Sequence, residues 1–334
     1  MIIVIHENNE WISPFAEAFN QLNLDHDFWY LPDMSLDLSR VPPKAVYWNR
    51  MSASSHTRGH RYEPELTAGI LSWLKRHGRV VVNGPKALDL EISKIRQYQE
   101  LESFGIRVPK TFCALRVTEL LDAANDIGFP LITKHNRAGK GLGVRKFESR
   151  NTLENYLTGD SFESSPDGIT LLQQYIQAPS QSITRMEFVN SKFFYAVEVD
   201  TSDGFELCPA EACELDSNCP TVEQNKFTIR NDFSLNDLNQ FEEFLIHNDI
   251  GIAGIEIIYD MEGKTWAYDV NTNTNYNPQA EAVASMSAPN EIASYLSSIK
   301  TFLGILKVII SSLSILILIL SSIVLSTIVL STIV

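Results

Sequence analysis

Residues 1–88 alternate short apolar runs with segments whose apolar side chains recur every three or four positions. Short apolar runs are typical of buried strands, and the wider spacing is typical of amphipathic helices. Pro14 stands where the first turn of a helix tolerates proline. Strands that alternate with helices predict a small parallel α/β domain. We expect strands at residues 2–6, 27–31, 45–49 and 79–83 and helices at residues 14–22 and 64–77.

The pattern beyond residue 88 is less regular. Asp89 is placed to cap a helix that runs to about Phe104, and the segment 105–109 ends that helix. Two polar segments, 190–191 and 261–264, separate apolar runs and predict hairpin turns. These features indicate a mixed α+β arrangement. We expect strands at residues 129–135, 143–147, 169–176, 183–189, 193–199, 254–259 and 266–270 and helices at residues 153–157 and 235–248.

The C-terminal segment has a third pattern, because no residue from 308 to 334 is charged and most are aliphatic. This run exceeds the roughly 20 residues that a transmembrane helix requires. Lys300 and Lys307 precede the run and no basic residue follows, so residues 1–300 are expected in the cytoplasm with the tail as a membrane anchor. The alternative is an appended low-complexity segment, since the five-residue period matches neither helix nor strand.

These changes of pattern divide the chain into four segments. We expect an N-terminal α/β domain at residues 1–88, a second subdomain at 89–176, a third at 177–300 and the hydrophobic tail at 301–334.

The composition excludes several classes of protein. The chain has 334 residues, 44% of them hydrophobic, which is enough for several cores and excludes a disordered protein. Its 41 acidic residues outnumber 27 basic ones, and a net charge of −14 repels phosphate backbones, so no nucleic-acid partner is expected. The first apolar run is too short, and lacks the basic flank, for a signal peptide.

The cysteines indicate a reducing compartment. Cys113, Cys208, Cys213 and Cys219 form no Cys-x-x-Cys pair, which is unlike a disulfide framework or a zinc ribbon. The last three lie in an acidic, irregular segment, where plain reduced thiols and a zinc site both stay open.

A lysine that closes a predicted strand, Lys134, leads into a loop with glycines at 139, 141 and 143. Glycines let backbone amides approach phosphate oxygens, and Arg137 and Lys140 add positive charge. The spacing matches neither a P-loop nor the dinucleotide-binding fingerprint. Taken alone, the segment is equally consistent with a flexible basic turn.

Glu256 lies on one strand of the last predicted hairpin, and Asp269 and Asn271 lie on the other. Because strand residues alternate faces, Asp269 and Asn271 point the same way, and Glu256 can join them. Two carboxylates and an amide oxygen suit Mg²⁺, which completes its octahedron with water and nucleotide phosphates. A solvated sheet face with scattered acids is the alternative.

The order of these features resembles the ATP-grasp superfamily over residues 1–299. The set comprises Lys94 in a helix, the lysine strand with its glycine loop, Arg185 in a strand, and then Glu256 with Asp269-x-Asn271. It is most similar to carboxylate–amine ligases of the glutathione synthetase and ribosomal-protein glutamate ligase type. Segments 49–62 and 269–277 also look like proteins labelled alpha-L-glutamate ligase. The resemblance implies an ATP-grasp fold, of class α/β and α+β, with an N-terminal parallel α/β domain.

The resemblance also implies roles for individual residues. Lys94 and Lys134 would contact the phosphates of ATP, and Arg185 would neutralise the transferred phosphoryl group, with Lys134 and Arg185 as the catalytic pair. The metal, Mg²⁺ with Mn²⁺ as the alternative, would be held by Glu256, Asp269 and Asn271. The nucleotide would lie against Asn136, Gly139, Lys140, Gly141, Gly143, Gln174, Tyr175 and Ile176.

The implied reaction joins a carboxylate to an amine through an acyl-phosphate, with glutamate as a candidate substrate and a protein or peptide as an alternative acceptor. Two other functions stay open: a kinase that stops at phosphoryl transfer, and a non-catalytic, membrane-tethered nucleotide-binding protein. Candidate substrate-binding residues follow two predicted strands, since open α/β sheets bind ligands at the carboxyl ends of their strands. These are Arg50, His56, Arg58, Arg61 and Asn273. An ordinary solvated loop is the alternative for the first four and an asparagine-rich turn for the last.

Overall fold

A four-stranded parallel sheet forms at the N-terminus, where the sequence predicts it. The protein is seen in a computed structural model that describes residues 1–139, 141, 143–202, 226–230 and 232–332. The strands are β1 (Ile2–His6), β2 (His26–Tyr30), β3 (Val46–Arg50) and β4 (Val80–Val82). They lie in the order β2-β1-β3-β4, and every neighbouring pair is parallel.

Helices cover both faces of this sheet. Ile2 and Val4 pack with α1 (Ser13–Gln21), whereas Ile3 and Ile5 pack with α2 (Glu63–Arg76). Because successive strand residues point to opposite faces, a continuous apolar strand is what a sheet buried on both sides requires.

The second sheet is antiparallel and holds the lysine strand. Its strands are β5 (Thr111–Ala114), β6 (Leu131–His135), β7 (Arg145–Phe147) and β8 (Thr170–Gln174), in the order β5-β8-β6-β7. Helices α5 (Val117–Ile127) and α6 (Arg150–Leu157) pack on one face of it.

The helix predicted to begin at Asp89 is in fact two helices, α3 (Pro85–Glu91) and α4 (Lys94–Ser103). The backbone of Ser93 is extended, which separates α3 from α4, and its side chain accepts a hydrogen bond from the Arg96 backbone N–H, which caps α4. Asp89 instead forms a surface ion pair with Arg96. The break places Lys94 at the first position of α4.

The third sheet is antiparallel, with strands β9 (Ser182–Val189), β10 (Lys192–Asp200), β11 (Phe227–Arg230), β12 (Ile252–Tyr259) and β13 (Thr265–Asn271). Their order is β11-β10-β9-β12-β13. Asn190 and Ser191 both have positive φ, which is the backbone of a tight hairpin turn, as predicted. Helices α7 (Leu238–His247) and α8 (Pro278–Ala284) follow β11 and β13, respectively. Cys208, Cys213 and Cys219 lie outside the described residues.

Asn83 joins the parallel sheet to the third sheet. Its side chain donates to the carbonyls of Ile252 and Thr272 and accepts from the N–H groups of Gly251 and Ile252. Asn83 also has a φ of 57°, a conformation that asparagine tolerates better than most residues. This fully buried amide fixes the ends of β12 and β13 relative to the N-terminal sheet.

The last helix, α9 (Ala288–Thr332), has two parts. Ile292, Ala293 and Leu296 are fully buried in the core that includes β1 and α1, so this helix starts inside the folded body, earlier than the expected tail. From Ile305 onward, its described apolar side chains are exposed. By length and composition alone, its segment Ala288–Ser314 is long and apolar enough to cross a membrane, a criterion that core helices of soluble proteins also meet.

Candidate active site

A cavity of about 270 Å³ lies between the second and third sheets. We call it the central cavity. Its lining includes Lys94, Lys134, Glu256 and Asp269, together with many apolar side chains and the segment after β8. Four of the charged residues predicted from sequence therefore line a single pocket.

The two carboxylates face each other across the β12–β13 ladder. Glu256 and Asp269 are register partners, and they are only 7% and 8% exposed. Asn271 follows Asp269 by two residues, opposite Gly254, and therefore lies on the same face. Lys94 Nζ donates to Asp269 Oδ1 at 2.5 Å.

Burial and the neighbouring Asp269 raise the pKa of Glu256 to about 7. Burial would also raise the pKa of Asp269, but the ammonium groups of Lys94 and Lys134 outweigh it and the pKa falls. Two buried carboxylates side by side repel one another, and a cation between them would relieve that repulsion. Among the described residues no group of three or more His, Cys, Asp and Glu side chains has metal-binding geometry, so a cation here would use these two acids and an amide.

Lys134 projects from β6 toward the same acids. Its Nζ donates to the Tyr268 carbonyl at 2.9 Å and to the Tyr98 hydroxyl at 3.2 Å. Burial lowers the pKa of Lys134, although Asp269 and Glu256 oppose that shift. The two lysines thus place two positive charges beside two negative ones, in a site that water reaches poorly.

The glycine loop lies along the edge of the central cavity. Gly139 and Gly141 line the cavity, and Asn136 accepts a hydrogen bond from the Ile95 N–H at the start of α4. Gly143 has a φ of 72°, and a Cβ there would lie 2.6 Å from His135 Nε2. Only glycine fits this position without displacing the His135 ring. Lys140 lies outside the described residues.

The segment after β8 forms a wall of the cavity. Gln174, Tyr175 and Ile176 all line it. The Gln174 side chain accepts from the Lys110 N–H, and Lys146 lies 4.2 Å from the centre of the Tyr175 ring.

Arg185 of β9 is the register partner of Glu256. Its Nε donates to Glu187 Oε1 at 2.5 Å and its Nη2 donates to the Asn275 carbonyl at 2.8 Å. These bonds hold the guanidinium between the acid pair and the segment after β13. Asn275 also lines a second cavity of about 260 Å³, against α1 and α8.

The basic loop after β3 is more tightly bound than its sequence suggests. Arg58 and His60 both bond to the fully buried carboxylate of Glu7, Arg58 through Nη2 at 2.5 Å. Arg50 donates to the carbonyls of Trp11 and Thr274 and to Asn275 Oδ1. These arginines therefore tie the loop to its surroundings.

The other candidate substrate residues differ in their surroundings. His56 is half-buried, with Nδ1 bonded to the Ala53 carbonyl, and burial lowers its pKa. Arg61 is exposed beside Tyr62. The amide of Asn273 is buried, with no hydrogen-bond partner among the described residues.

Three buried acids were missed by the sequence interpretation. Glu7 holds the basic loop, Glu187 holds Arg185, and Glu91 accepts from the N–H groups of Ala53 and Thr272. Glu187 follows Arg185 by two residues on one strand, a spacing that could have identified the pair. Glu7 and Glu91 carry no comparable sequence signal.

No family model matches the chain, but several characterised proteins are similar to part of it. D-alanine--D-alanine ligase B of Pseudomonas syringae pv. tomato is 25% identical over 197 residues, 57% of this chain and 57% of that protein. Human N-acetylaspartylglutamate synthase A is 24% identical over 160 residues, 47% of this chain and 40% of that protein. Alpha-aminoadipate--LysW ligase LysX of Sulfurisphaera tokodaii is 28% identical over 92 residues, 27% of this chain and 32% of that protein. The similarity thus spans about half or less of these relatives.

Solved structures match almost the whole fold. The RimK domain ATP-grasp protein of Sphaerobacter thermophilus superposes with a TM-score of 0.59 at 15% identity, over 88% of this chain and 98% of that one. The ATP-grasp ligase PsnB, complexed with a minimal precursor, gives 0.63 at 14%, and D-cycloserine synthetase DcsG gives 0.63 at 13%; each covers 89% of this chain and 98% of the other. The chain therefore has the ATP-grasp fold, as the order of its motifs predicts.

Proposed function

We propose that the protein is an ATP- and Mg²⁺-dependent ligase that joins a carboxylate to an amine through an acyl-phosphate. The observation that carries this proposal is the meeting of Lys94, Lys134, Glu256 and Asp269 in the lining of a single cavity that also has apolar walls. The relatives named as ligases and synthases support it.

In this proposal the nucleotide lies along the central cavity. Lys94 and Lys134 bind its phosphates, and the glycine loop supplies backbone N–H groups. The adenine lies against Gln174, Tyr175 and Ile176.

The carboxylates of Glu256 and Asp269 are the kind of ligand that a magnesium ion prefers. Glu256 and Asp269 offer hard oxygen ligands at one point, and Asn271 adds an amide oxygen from the same face. A bound Mg²⁺, or Mn²⁺ in its place, would neutralise charge on the phosphates. Its binding requires Lys94 to share Asp269 with the metal.

The reaction has two steps. A carboxylate oxygen of the substrate attacks the γ-phosphorus of ATP, and ADP leaves. The amine then attacks the acyl carbon, inorganic phosphate leaves, and the nitrogen loses a proton. The protein supplies position and charge, and Arg185 lies where it can offset the negative charge of the acyl-phosphate.

The substrates are proposed to bind between the N-terminal domain and the segment after β13. Arg185, Asn275 and the second cavity connect the acid pair to this region. Glutamate is one candidate substrate. One structural neighbour is complexed with a precursor peptide and another is a D-cycloserine synthetase, so peptide and small-molecule acceptors both belong in the test.

We also propose that the exposed part of α9 anchors the protein to a membrane, with the catalytic part in the cytoplasm. Its described residues from Val308 onward carry no charge and pack against little of the protein.

The test is ADP release by the detergent-solubilised full chain with ATP and Mg²⁺, across pools of amino acids, small carboxylates and peptides, followed by mass spectrometry. ADP that depends on both a carboxylate and an amine, with a condensed product, is expected. ADP formed without any amine, with a phosphorylated product, would instead identify a kinase. ATP binding without turnover in every pool would favour a non-catalytic nucleotide-binding protein.

A further inference from the structure

The glycine loop bonds to the N-terminal domain at one point and passes close to it at a second. Arg137 Nη1 donates to Glu65 Oε1 of α2 at 2.8 Å. A Cβ built on Gly139 would lie 3.6 Å from the Cβ of Ser54, in the turn after β3. The loop that follows the lysine strand thus rests on the domain that carries the basic loop.

The surface beneath the loop is itself well fixed. The Ser54 hydroxyl bonds to that of Ser52 at 2.9 Å and accepts from Arg58, which Glu7 holds. The neighbouring Ala53 N–H donates to the buried Glu91. The Ser54 turn is therefore a rigid support rather than a flexible loop.

Arg137 is held from two directions. Its backbone N–H donates to the Ser165 hydroxyl, within its own subdomain, while its side chain reaches across to Glu65. The Arg137 side chain is only 14% exposed, whereas that of Glu65 is 57% exposed. The sequence predicts Arg137 as a source of positive charge for phosphate, but in the structure its guanidinium is bonded to Glu65 of the N-terminal domain.

We infer that Glu65 is a positioning residue for the nucleotide. Through Arg137 it holds the first half of the glycine loop on the Ser54 turn, with the backbone amides ordered for phosphate. Ordering a loop residue costs about 1–2 kcal/mol, so a loop ordered before ATP arrives binds ATP more tightly. The inference rests on the proposed ATP-binding function.

The test compares Glu65→Gln with Glu63→Gln in the full chain. Glu63 carries the same charge in the first turn of α2, and no ion pair involves it among the described residues. Glu65→Gln should raise the Kd and KM for ATP about threefold to tenfold, while kcat changes little, because the contact exists before the transition state. Glu63→Gln should leave both constants unchanged.

Two further measurements separate positioning from a general loss of structure. Glu65→Asp should recover part of the ATP affinity, and Glu65→Lys combined with Arg137→Glu should bind ATP more tightly than either single variant.

Equal ATP affinity in Glu65→Gln and the wild type would overturn the inference. A higher affinity in Glu65→Gln would also overturn it, since Glu65 would then compete with ATP for Arg137. Failure of the wild type to bind ATP would overturn the proposed function itself, whereas ATP binding without turnover would contradict only the ligase activity.

Discussion

Four charged groups that line the central cavity form one electrostatic unit. Lys94, Lys134, Glu256 and Asp269 are all nearly buried, so each charge depends on the others for compensation. Burial, and then the neighbouring Asp269, raise the pKa of Glu256, whereas Lys94 and Lys134 lower the pKa of Asp269 in spite of its burial. Loss of one member therefore disturbs the whole site.

Asp269→Asn should reduce ATP turnover at least about a hundredfold, because it removes a proposed metal ligand and the partner of Lys94. The change preserves side-chain volume, so the protein should remain folded by circular dichroism, with a lower Tm. Asp122→Asn, on the exposed face of α5, is the control. Turnover at the wild-type rate in Asp269→Asn would refute the metal assignment.

His6 makes stability depend on pH. Burial lowers its pKa from 6.5 to about 4, although the bond of Nδ1 to the Asn8 carbonyl opposes the shift. Between these values the unfolded chain binds a proton that the folded chain does not, so stability falls as pH decreases through this window and is unaffected above it. The loss should reach about 3 kcal/mol at pH 4.

His6→Gln should reduce this loss, as measured by urea unfolding at pH 7 and pH 4.5. His77→Gln, at the end of α2, serves as the control. An identical pH dependence in His6→Gln and the wild type would show that other groups cause the loss.

At the scale of elements, the glycine loop takes its shape from what lies beside it. The His135 ring fills the space next to Gly143, and the N-terminus of α4 bonds to Asn136. The break between α3 and α4 positions Lys94. The Ser93 cap starts a new helix at this lysine, whose Nζ then bonds to Asp269. The loop and the helix thus position each other.

Gly143→Ala should raise the KM for ATP severalfold and lower the Tm, because its Cβ would meet the His135 ring as well as strain a positive φ. Gly263→Ala is a matched control, since Gly263 has a φ of 76° with nothing within 4 Å of the added Cβ. Gly263→Ala should lower the Tm slightly and leave the KM unchanged. Equal effects of the two substitutions would mean that the contact with His135 is unimportant.

At the scale of the whole molecule, α9 connects the folded body to the exposed apolar segment. The first turns of this helix fill the core beside β1 and α1, whereas the later described turns expose their apolar side chains. One continuous helix is therefore buried in its first turns and exposed in its later ones. Truncation within the exposed part should leave the protein folded, whereas removal of the buried part should unfold it.

A chain that ends at Lys307 should stay folded and move from the membrane fraction to the soluble fraction after cell lysis, because the described side chains that are lost are all exposed. A chain that ends at Ser287 should not fold stably, since it lacks Ile292 and Leu296, and emptying each such site costs about 2–5 kcal/mol. Full-length protein found wholly in the soluble fraction would rule out the anchor.

The sequence alone determined much of this protein. The alternation of apolar runs predicts the parallel sheet, turn residues such as Asn190 predict a hairpin, and the order of Lys94, Lys134, Arg185, Glu256 and Asp269 predicts the ATP-grasp fold. Local periodicity and turn chemistry act over a few residues, so they can be read directly from the chain.

Tertiary structure decided what each charged side chain touches. Arg58 and Arg137 look alike in sequence, as exposed basic residues of polar loops, yet each is held by an acid more than fifty positions away, Glu7 and Glu65. The buried Asn83 and Glu91 likewise join segments that no local pattern connects. A buried polar group must find a partner wherever the fold provides one, and such pairings depend on the whole chain rather than on its neighbours in sequence.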